Sequence, residues 1–318
     1  MSIQWFPGHM HSTRKAILER LPEIDVVIEL LDARLPGSSA NPLIAELTQG
    51  KPALKLLTKQ DLADPEQTAR WLAHYQAQVG TNAIALDSGM AAPVRALAPA
   101  CRALAPNRGG MAKPMRVLVC GIPNVGKSTL INSLRGKRAA KTGDEAGITK
   151  TEQRIVLEDD FYLYDTPGML WPRIAIAQSG ELLAASGAVG RNAYDDEEVA
   201  LALLTQMLAH HPDRLRERYK LADISGFNDE AVLGEIGRKR APLLAGGRPN
   251  LQKAAEIAIH DFRSGAWGRV TLETLEEFAA WRAQAEAADA ERAAKQAARK
   301  QKKQPQRGAA DAPDAAGG

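Results

Sequence analysis

The sequence predicts an α/β protein in two parts, a largely parallel, helix-covered sheet followed by a smaller all-helical domain. Three observations predict it. Short apolar runs of strand length alternate with segments of helical spacing through the first half of the chain. Polar, chemistry-bearing loops follow the carboxyl ends of several of those runs. After about Arg173 the strand signal fades and helical periodicity remains.

Taken in order, the chain opens with a polar and aromatic arm and a helix over 11–20. Apolar runs at 24–31, 53–57 and 82–86 read as strands, ending at Asp32-Ala33-Arg34, Thr58-Lys59-Gln60-Asp61 and Asp87-Ser88-Gly89. Short helices are expected over 41–47 and from Asp64-Pro65 to about 78, with proline in the first turn. Another runs to about Leu104. The stretch 106–114, PNRGGMAKP, reads as a flexible connector. The sheet resumes at 115–120, followed by a loop and a helix to about Leu134. Strands at 153–157 and 161–164 meet at the polar turn Glu158-Asp159-Asp160. Helices over 196–209, 229–238, 251–262 and 272–282 then predict domain boundaries of 1–175, 176–283 and 284–318, the last a basic, disordered tail whose Ala, Gln, Lys, Arg and Glu could extend a helix but offer no apolar anchors.

Composition excludes some classes. The 318 residues carry 41 Lys/Arg against 38 Asp/Glu, a net +3 that says little about partners. The distribution says more, because 295–307 holds six Lys/Arg and no acid, a run able to meet phosphate backbones. The amino terminus lacks the apolar core of a signal peptide and no apolar run reaches membrane-spanning length. The two cysteines, Cys101 and Cys120, have no metal-like spacing. A cytoplasmic protein is expected.

Residues 121–128, GIPNVGKS, match GxxxxGK[ST] and lie between a strand and a helix, the setting this motif requires. Gly121 and Gly126 let the backbone wrap phosphates closely. Asn124, Val125, Gly126, Lys127, Ser128 and Thr129 are the candidate nucleotide contacts. The Lys127 ammonium is expected against the β- and γ-phosphates, stabilising developing charge, and the Ser128 hydroxyl on Mg²⁺. Asp165-Thr166-Pro167-Gly168 follows at another strand end. Asp165 is suited to hold Mg²⁺ directly or through water, and the Gly168 N–H to sense the γ-phosphate. The segment 141–149, KTGDEAGIT, has the composition of a mobile γ-phosphate contact. Thr149 is the better candidate for a second hydroxyl on Mg²⁺, with Thr142 the competing choice.

Thr58-Lys59-Gln60-Asp61 resembles the [NT]KxD base-reading element of GTPases. The Asp61 carboxylate can accept from guanine N1–H and the exocyclic amine, a donor pair adenine lacks. The Lys59 stem can lie along the purine face. Thr58 stands where asparagine is commoner, and its hydroxyl reaches less far. Asp87 and Ser88 are candidates for further base contacts. GTP is therefore the expected substrate. The base reader precedes the phosphate loop, the reverse of the ordinary order. A parallel sheet tolerates this if the old termini lie close and the new join, here 106–114, is flexible.

With Trp5–Met10 (WFPGHM), Asp32-Ala33-Arg34, GIPNVGKST, GIT and DTPG in this order, the chain resembles the circularly permuted GTPases of the bacterial ribosome biogenesis GTPase A family, over about residues 1–280. The resemblance implies a P-loop GTPase domain with permuted motif order and a smaller all-helical domain. It implies binding to the large ribosomal subunit precursor, its rRNA and ribosomal proteins, late in assembly, with hydrolysis stimulated by the particle. It implies rRNA contact by 191–282, with Arg238, Lys239, Arg240, Arg248, Lys253, Arg263 and Arg269 as candidates. Met169 occupies the place of the water-orienting glutamine of other GTPases. The histidine proposed for this task in the family matches His9. Asn124 matches an asparagine that helps coordinate K⁺ in potassium-stimulated relatives. Away from the particle a monomer is expected. The stretch after about Ala283 has no clear counterpart. The alternative reading is a nucleotide-gated RNA-binding or scaffold protein with negligible hydrolysis.

Overall fold

The strands β1 (Val26–Asp32), β2 (Ala53–Thr58), β3 (Thr81–Ala85), β4 (Met115–Gly121), β5 (Gln153–Glu158) and β6 (Phe161–Asp165) form one sheet in the order β3-β2-β1-β4-β6-β5. This is seen in a computed structural model, which describes residues 3, 5–86, 94–110, 112–135 and 153–303. All pairings are parallel except β5 with β6. Every residue of β1 is buried, as a central strand with both faces covered requires. Register aligns Asp32 with Thr58, Leu30 with Gly121, and Val119 with Asp165. The chemistry-bearing loops therefore share the carboxyl edge of the sheet, where open α/β sheets place their ligands.

Around the sheet lie α1 (Gly8–Arg20), α2 (Pro36–Ser39), α3 (Pro42–Leu47), α4 (Pro65–Gln76), α5 (Val94–Leu104) and α6 (Lys127–Arg135). Local signals set several starts. Asn41 accepts from the Leu43 and Ile44 N–H groups and Asp64 from those of Glu66 and Gln67, each just before a proline at the first helical position. The helical part comprises α7 (Ala177–Ser186), α8 (Asp196–His210), α9 (Pro212–Tyr219), α10 (Asp229–Arg240) and α11 (Leu251–Ser264), with Asp195, Asn228 and Asn250 capping α8, α10 and α11.

Three features depart from expectation. Helix α7, AQSGELLAAS, was not foreseen, because it is buried almost all round and shows no amphipathic stripe. Helix α9, PDRLRERY, was hidden by its charge, with Leu215 and Tyr219 buried. The stretch from 284, expected to be disordered, begins inside α12 (Leu275–Lys303). That helix is rich in Ala, Gln, Glu, Lys and Arg, the strong helix formers, and is pinned to the body by the Arg173 guanidinium, which forks onto Asp289. Residues 304–318 lie outside the described residues.

The lead-in to α12 is fastened by a buried carboxylate. Glu273 accepts from the Gly37 and Ser38 N–H groups and the Ser38 hydroxyl, which is also 2.8 Å from the Ser179 hydroxyl of α7. Burial pushes its pKa up to about 7, against the pull of these donors. The unfolded carboxyl titrates near 4.5, so between pH 4.5 and 7 the native state holds the extra proton. Stability attributable to Glu273 is full below that window and falls as pH rises through it, by about 3 kcal/mol in the limit. In Glu273→Gln the amide replaces the protonated acid. Thermal midpoints at pH 5.5 and 7.5 should fall less between the two pH values in the variant than in the parent. Parallel curves would show that Glu273 does not titrate there.

Candidate functional site

The end of β2 touches the loop after β4. The Thr58 hydroxyl lies 2.6 Å from the Val125 carbonyl oxygen and 3.0 Å from that of Leu31, and donates to the nearer. A β-carbon on Gly126 would lie only 3.7 Å from the Thr58 side chain. The shorter reach of threonine is thus sufficient, since strand register already brings it to the loop. Lys59 adopts a left-handed backbone, φ 57°, and its ammonium donates to the Asn124 carbonyl (3.1 Å) and to Asp32 (2.7 Å). Its charged end is held by the protein. Asp61 is exposed on the following turn, and the Gln60 N–H meets the Leu86 carbonyl at 3.4 Å. Asp87 and Ser88, the next two residues, lie outside the described residues.

Asp32 is the hub of this corner. Fully buried, its carboxylate receives the Arg34 guanidinium through two bonds, 3.0 and 2.9 Å, the Arg34 N–H at 3.1 Å, and Lys59. Burial alone would raise the Asp32 pKa, but the two cations hold it well below the usual carboxylate range. Burial lowers the pKa of Lys59, with Asp32 acting in the opposite direction. Arg34 also donates to the Phe262 carbonyl of α11 at 2.7 Å and stacks 4.1 Å over the Phe262 ring. One network therefore links the base-reading turn, the phosphate loop and the helical part.

In the phosphate loop Gly121 has φ 154° and Gly126 φ 106°. A β-carbon on Gly121 would lie 2.8 Å from the Leu30 carbonyl, so glycine is required there. Asn124 also has positive φ, 55°, and its side-chain nitrogen donates to the Gly187 carbonyl beyond α7 at 2.8 Å. Lys127 is buried, and its ammonium lies 3.0 Å from the Ile122 carbonyl and 3.3 Å from that of Gly121. Burial pulls its pKa down to about 8, against the attraction of Asp165. Ser128 and Thr129 open α6.

The DTPG turn is the opposite wall. Asp165 is buried at the end of β6, and the Met169 N–H donates to the Gly121 carbonyl at 3.1 Å. A β-carbon on Gly168 would lie 2.8 Å from Pro123 Cα. The buried Asp165 carboxylate and the Ser128 hydroxyl are hard oxygen donors, the kind Mg²⁺ takes. Met169 is buried, so this position offers no polar group to a water. Thr149 lies outside the described residues. His9 falls in the first turn of α1, and its side chain is outside the described residues. The neighbouring Met10 is fully buried, with its sulfur 3.4 Å from the Leu170 N–H.

Two candidates for RNA contact are engaged within the protein, Arg263 half-buried and Arg269 exposed. Arg263 donates to the Ala184 and Ala185 carbonyls and the Tyr194 hydroxyl. Arg269 reaches the Ala63 and Gln60 carbonyls (3.0 and 3.2 Å), bracing the base-reading turn. Both carry the charge expected of an RNA contact and also bind carbonyls at chain bends, where those of Ala184 and Gln60 accept from the Gly187 and Ala63 N–H groups as well. Arg34 and Arg269 were the residues whose part could not be read from the chain, since both act on segments distant in sequence.

A phosphate loop, a DTPG turn and a TKxD turn on one sheet edge, met in permuted order and followed by a helical domain, define a circularly permuted P-loop GTPase. The family described as 50S ribosome-binding GTPase matches residues 116–222. Ribosome biogenesis GTPase A of Bacillus cereus is 41% identical over 285 residues, covering 87% of this chain and 96% of that protein. Mitochondrial ribosome-associated GTPase 1 of Mus musculus is 33% identical over 292 residues, covering 85% and 90%. Among solved structures, GDP-bound TM YlqF superposes with a TM-score of 0.59 at 25% identity, covering 82% of this chain and 99% of that one. GNP-bound YlqF from T. maritima gives 0.56 at 25% identity, covering 84% and 99%. The chain belongs to the ribosome biogenesis GTPase A family. It is a GTP hydrolase of ribosome biogenesis.

Proposed function

We propose that this GTPase acts on the large ribosomal subunit precursor, touching its rRNA and ribosomal proteins, as a cytoplasmic monomer when off the particle. The observation that carries the nucleotide assignment is the double tie between base reader and phosphate loop, Thr58 on Val125 and Lys59 on Asn124. The names of the relatives and the 50S ribosome-binding GTPase match support the ribosomal partner. A cleft of about 740 Å³ lined by Arg191, Arg218, Arg240 and Lys253 offers bases to it, three of them paired with the Asp196, Glu256 and Asp261 carboxylates of the same cleft. Among the described residues no helix is long and apolar enough to cross a membrane.

In this reading Asp61 selects guanine, with Thr58, Lys59, Asp87 and Ser88 completing the base pocket. Residues 124–129 and Gly168 hold the phosphates, and Lys127 stabilises charge developing on the γ-phosphoryl oxygens. Ser128, Thr149 and Asp165 hold Mg²⁺, which when bound neutralises charge on the β- and γ-oxygens. Asn124 contributes to a K⁺ site. His9 positions the attacking water, the neighbouring Met10 fixing that turn against Leu170. GTP orders 141–149 and 165–170, and Asn124–Gly187 and Arg34–Phe262 relay this to the helical domain.

Phosphate release from GTP and ATP, measured with and without large-subunit particles and in KCl against NaCl, tests this. We expect a preference for GTP of roughly 10³-fold or more, faster turnover in KCl, and stimulation by particles that co-sediment with the protein. Equal use of both nucleotides removes the guanine assignment, and absence of both stimulation and co-sedimentation removes the ribosomal one. A His9→Ala variant at the parental rate removes the role of His9.

A further inference from the structure

The distal part of α12 stands off the body. Its packed residues, Phe278, Trp281, Ala285 and Asp289, recur at helical spacing and end where Arg173 grips Asp289. From Ala290 to Arg299 every residue is exposed. With the helix running to Lys303, about 14 residues or ~21 Å project past the last contact. Local chemistry keeps the overhang helical: strong helix formers, a Glu291–Lys295 pair with the acid N-terminal, and basic residues towards the C-terminus where the helix dipole favours them.

The overhang has one pronounced property. Between 291 and 303 six basic residues face the single acid Glu291. Arg292, Lys295 and Arg299, at i, i+3 and i+7, share one face. Apart from Glu291, the other residues of 290–299 are alanine and glutamine. No bulky apolar residue follows Trp281 in the chain, so there is no anchor for a protein groove and no apolar face for a lipid surface. No aromatic follows it either, so unstacked bases have no platform. What remains is a rigid cationic rod suited to a regular array of phosphates. Alignments cover 96–100% of the Bacillus and Priestia relatives but 87% of this chain, which therefore carries sequence those relatives lack.

We propose that α12 beyond Asp289 is an RNA arm that lies along the phosphate backbone of double-helical RNA, reading charge and shape and not sequence. This rests on the reading of the protein as a factor that docks on an RNA particle. Arg292 is exposed and its partner Asp289 (3.6 Å) keeps Arg173, and the pair Lys295–Glu291 is exposed on both sides, so exchanging these contacts for phosphate costs little.

The test uses the full chain and the triple variant R292Q/K295Q/R299Q, glutamine keeping the helix while removing charge. Binding to a 20-base-pair RNA duplex of arbitrary sequence is followed by fluorescence anisotropy over a KCl series. The expected result is a slope of log K against log [KCl] shallower by about 2–3 in the variant, and at least roughly tenfold weaker binding at 0.1 M KCl. Phosphate release from GTP without RNA should be unchanged. Equal slopes and affinities overturn the arm, as does variant-sensitive binding to anionic vesicles with none to the duplex. Co-sedimentation with large-subunit particles separates the two readings. If the parent binds particles but the variant matches it on the duplex, the arm alone falls. If the parent shows the charge-dependent duplex binding but no particle binding, the ribosomal reading falls and the arm stands.

Discussion

Replacing Lys127 with alanine should lower GTP turnover by about 10²–10³-fold while leaving the thermal midpoint within a few degrees of the parent. The two halves of this expectation have separate causes. In the folded chain the Lys127 ammonium is buried against the Gly121 and Ile122 carbonyls and its pKa is pulled down to about 8. A cation whose burial lowers its pKa contributes little to stability, so its removal is tolerated. In the proposed mechanism the same ammonium, the one side-chain charge of residues 121–128, meets a growing negative charge on the transferred phosphoryl group, and alanine supplies none. Stopped or quenched phosphate-release assays with saturating GTP, alongside calorimetric melting, read both quantities. Turnover close to the parental rate would show that another group carries the charge. A fall in stability matching the fall in activity would show only a damaged loop.

Replacing Asp32 with alanine should destabilise the protein by about 3–5 kcal/mol, because it strips a buried acid from the buried Arg34 and the partly buried Lys59. Arg34 and Lys59 both lose their counterion, and the Arg34 N–H loses its acceptor. A fall in Tm on the order of 10 °C follows. Arg34→Met should cost less, since Lys59 still balances Asp32, and adding it to Asp32→Ala should recover part of the loss. A double-mutant cycle isolates the coupling. Because Lys59 also holds the Asn124 carbonyl, Asp32→Ala should weaken GTP binding in molecules that remain folded. An Asp32→Ala protein melting with the parent would show that the ion pair adds nothing and that the network is not the link between domains.

Much of the site was legible because its determinants are local. GxxxxGK[ST] needs glycine where φ is positive and lysine at the start of a helix, and Gly121, Gly126 and Lys127 occupy those places. The six strands were visible as apolar runs bounded by turn residues. Helix α7 was not, because a helix buried on nearly all sides has no polar face to set its period. The composition after 283 allows the continuation of α12 without requiring it, because apolar anchors are missing and the helix is sustained by propensity and by Arg173, a residue far away in the chain. Asp32-Ala33-Arg34 was visible as a motif but silent as to its task.

The amino-acid sequence by itself determined which segments are strands, which loop can grip phosphates and which turn can read guanine, since each depends on side chains and backbone freedom within a few residues. Only the tertiary structure decided that β1 lies between β2 and β4, so that Asp32 stands between base reader and phosphate loop with Arg34 reaching α11. It also decided that Arg263 and Arg269 bind backbone carbonyls of other segments while residues 290–299 of α12 stand exposed. The reason is that strand order and the pairing of buried charges are set by contacts between residues far apart in the chain, which no local pattern encodes.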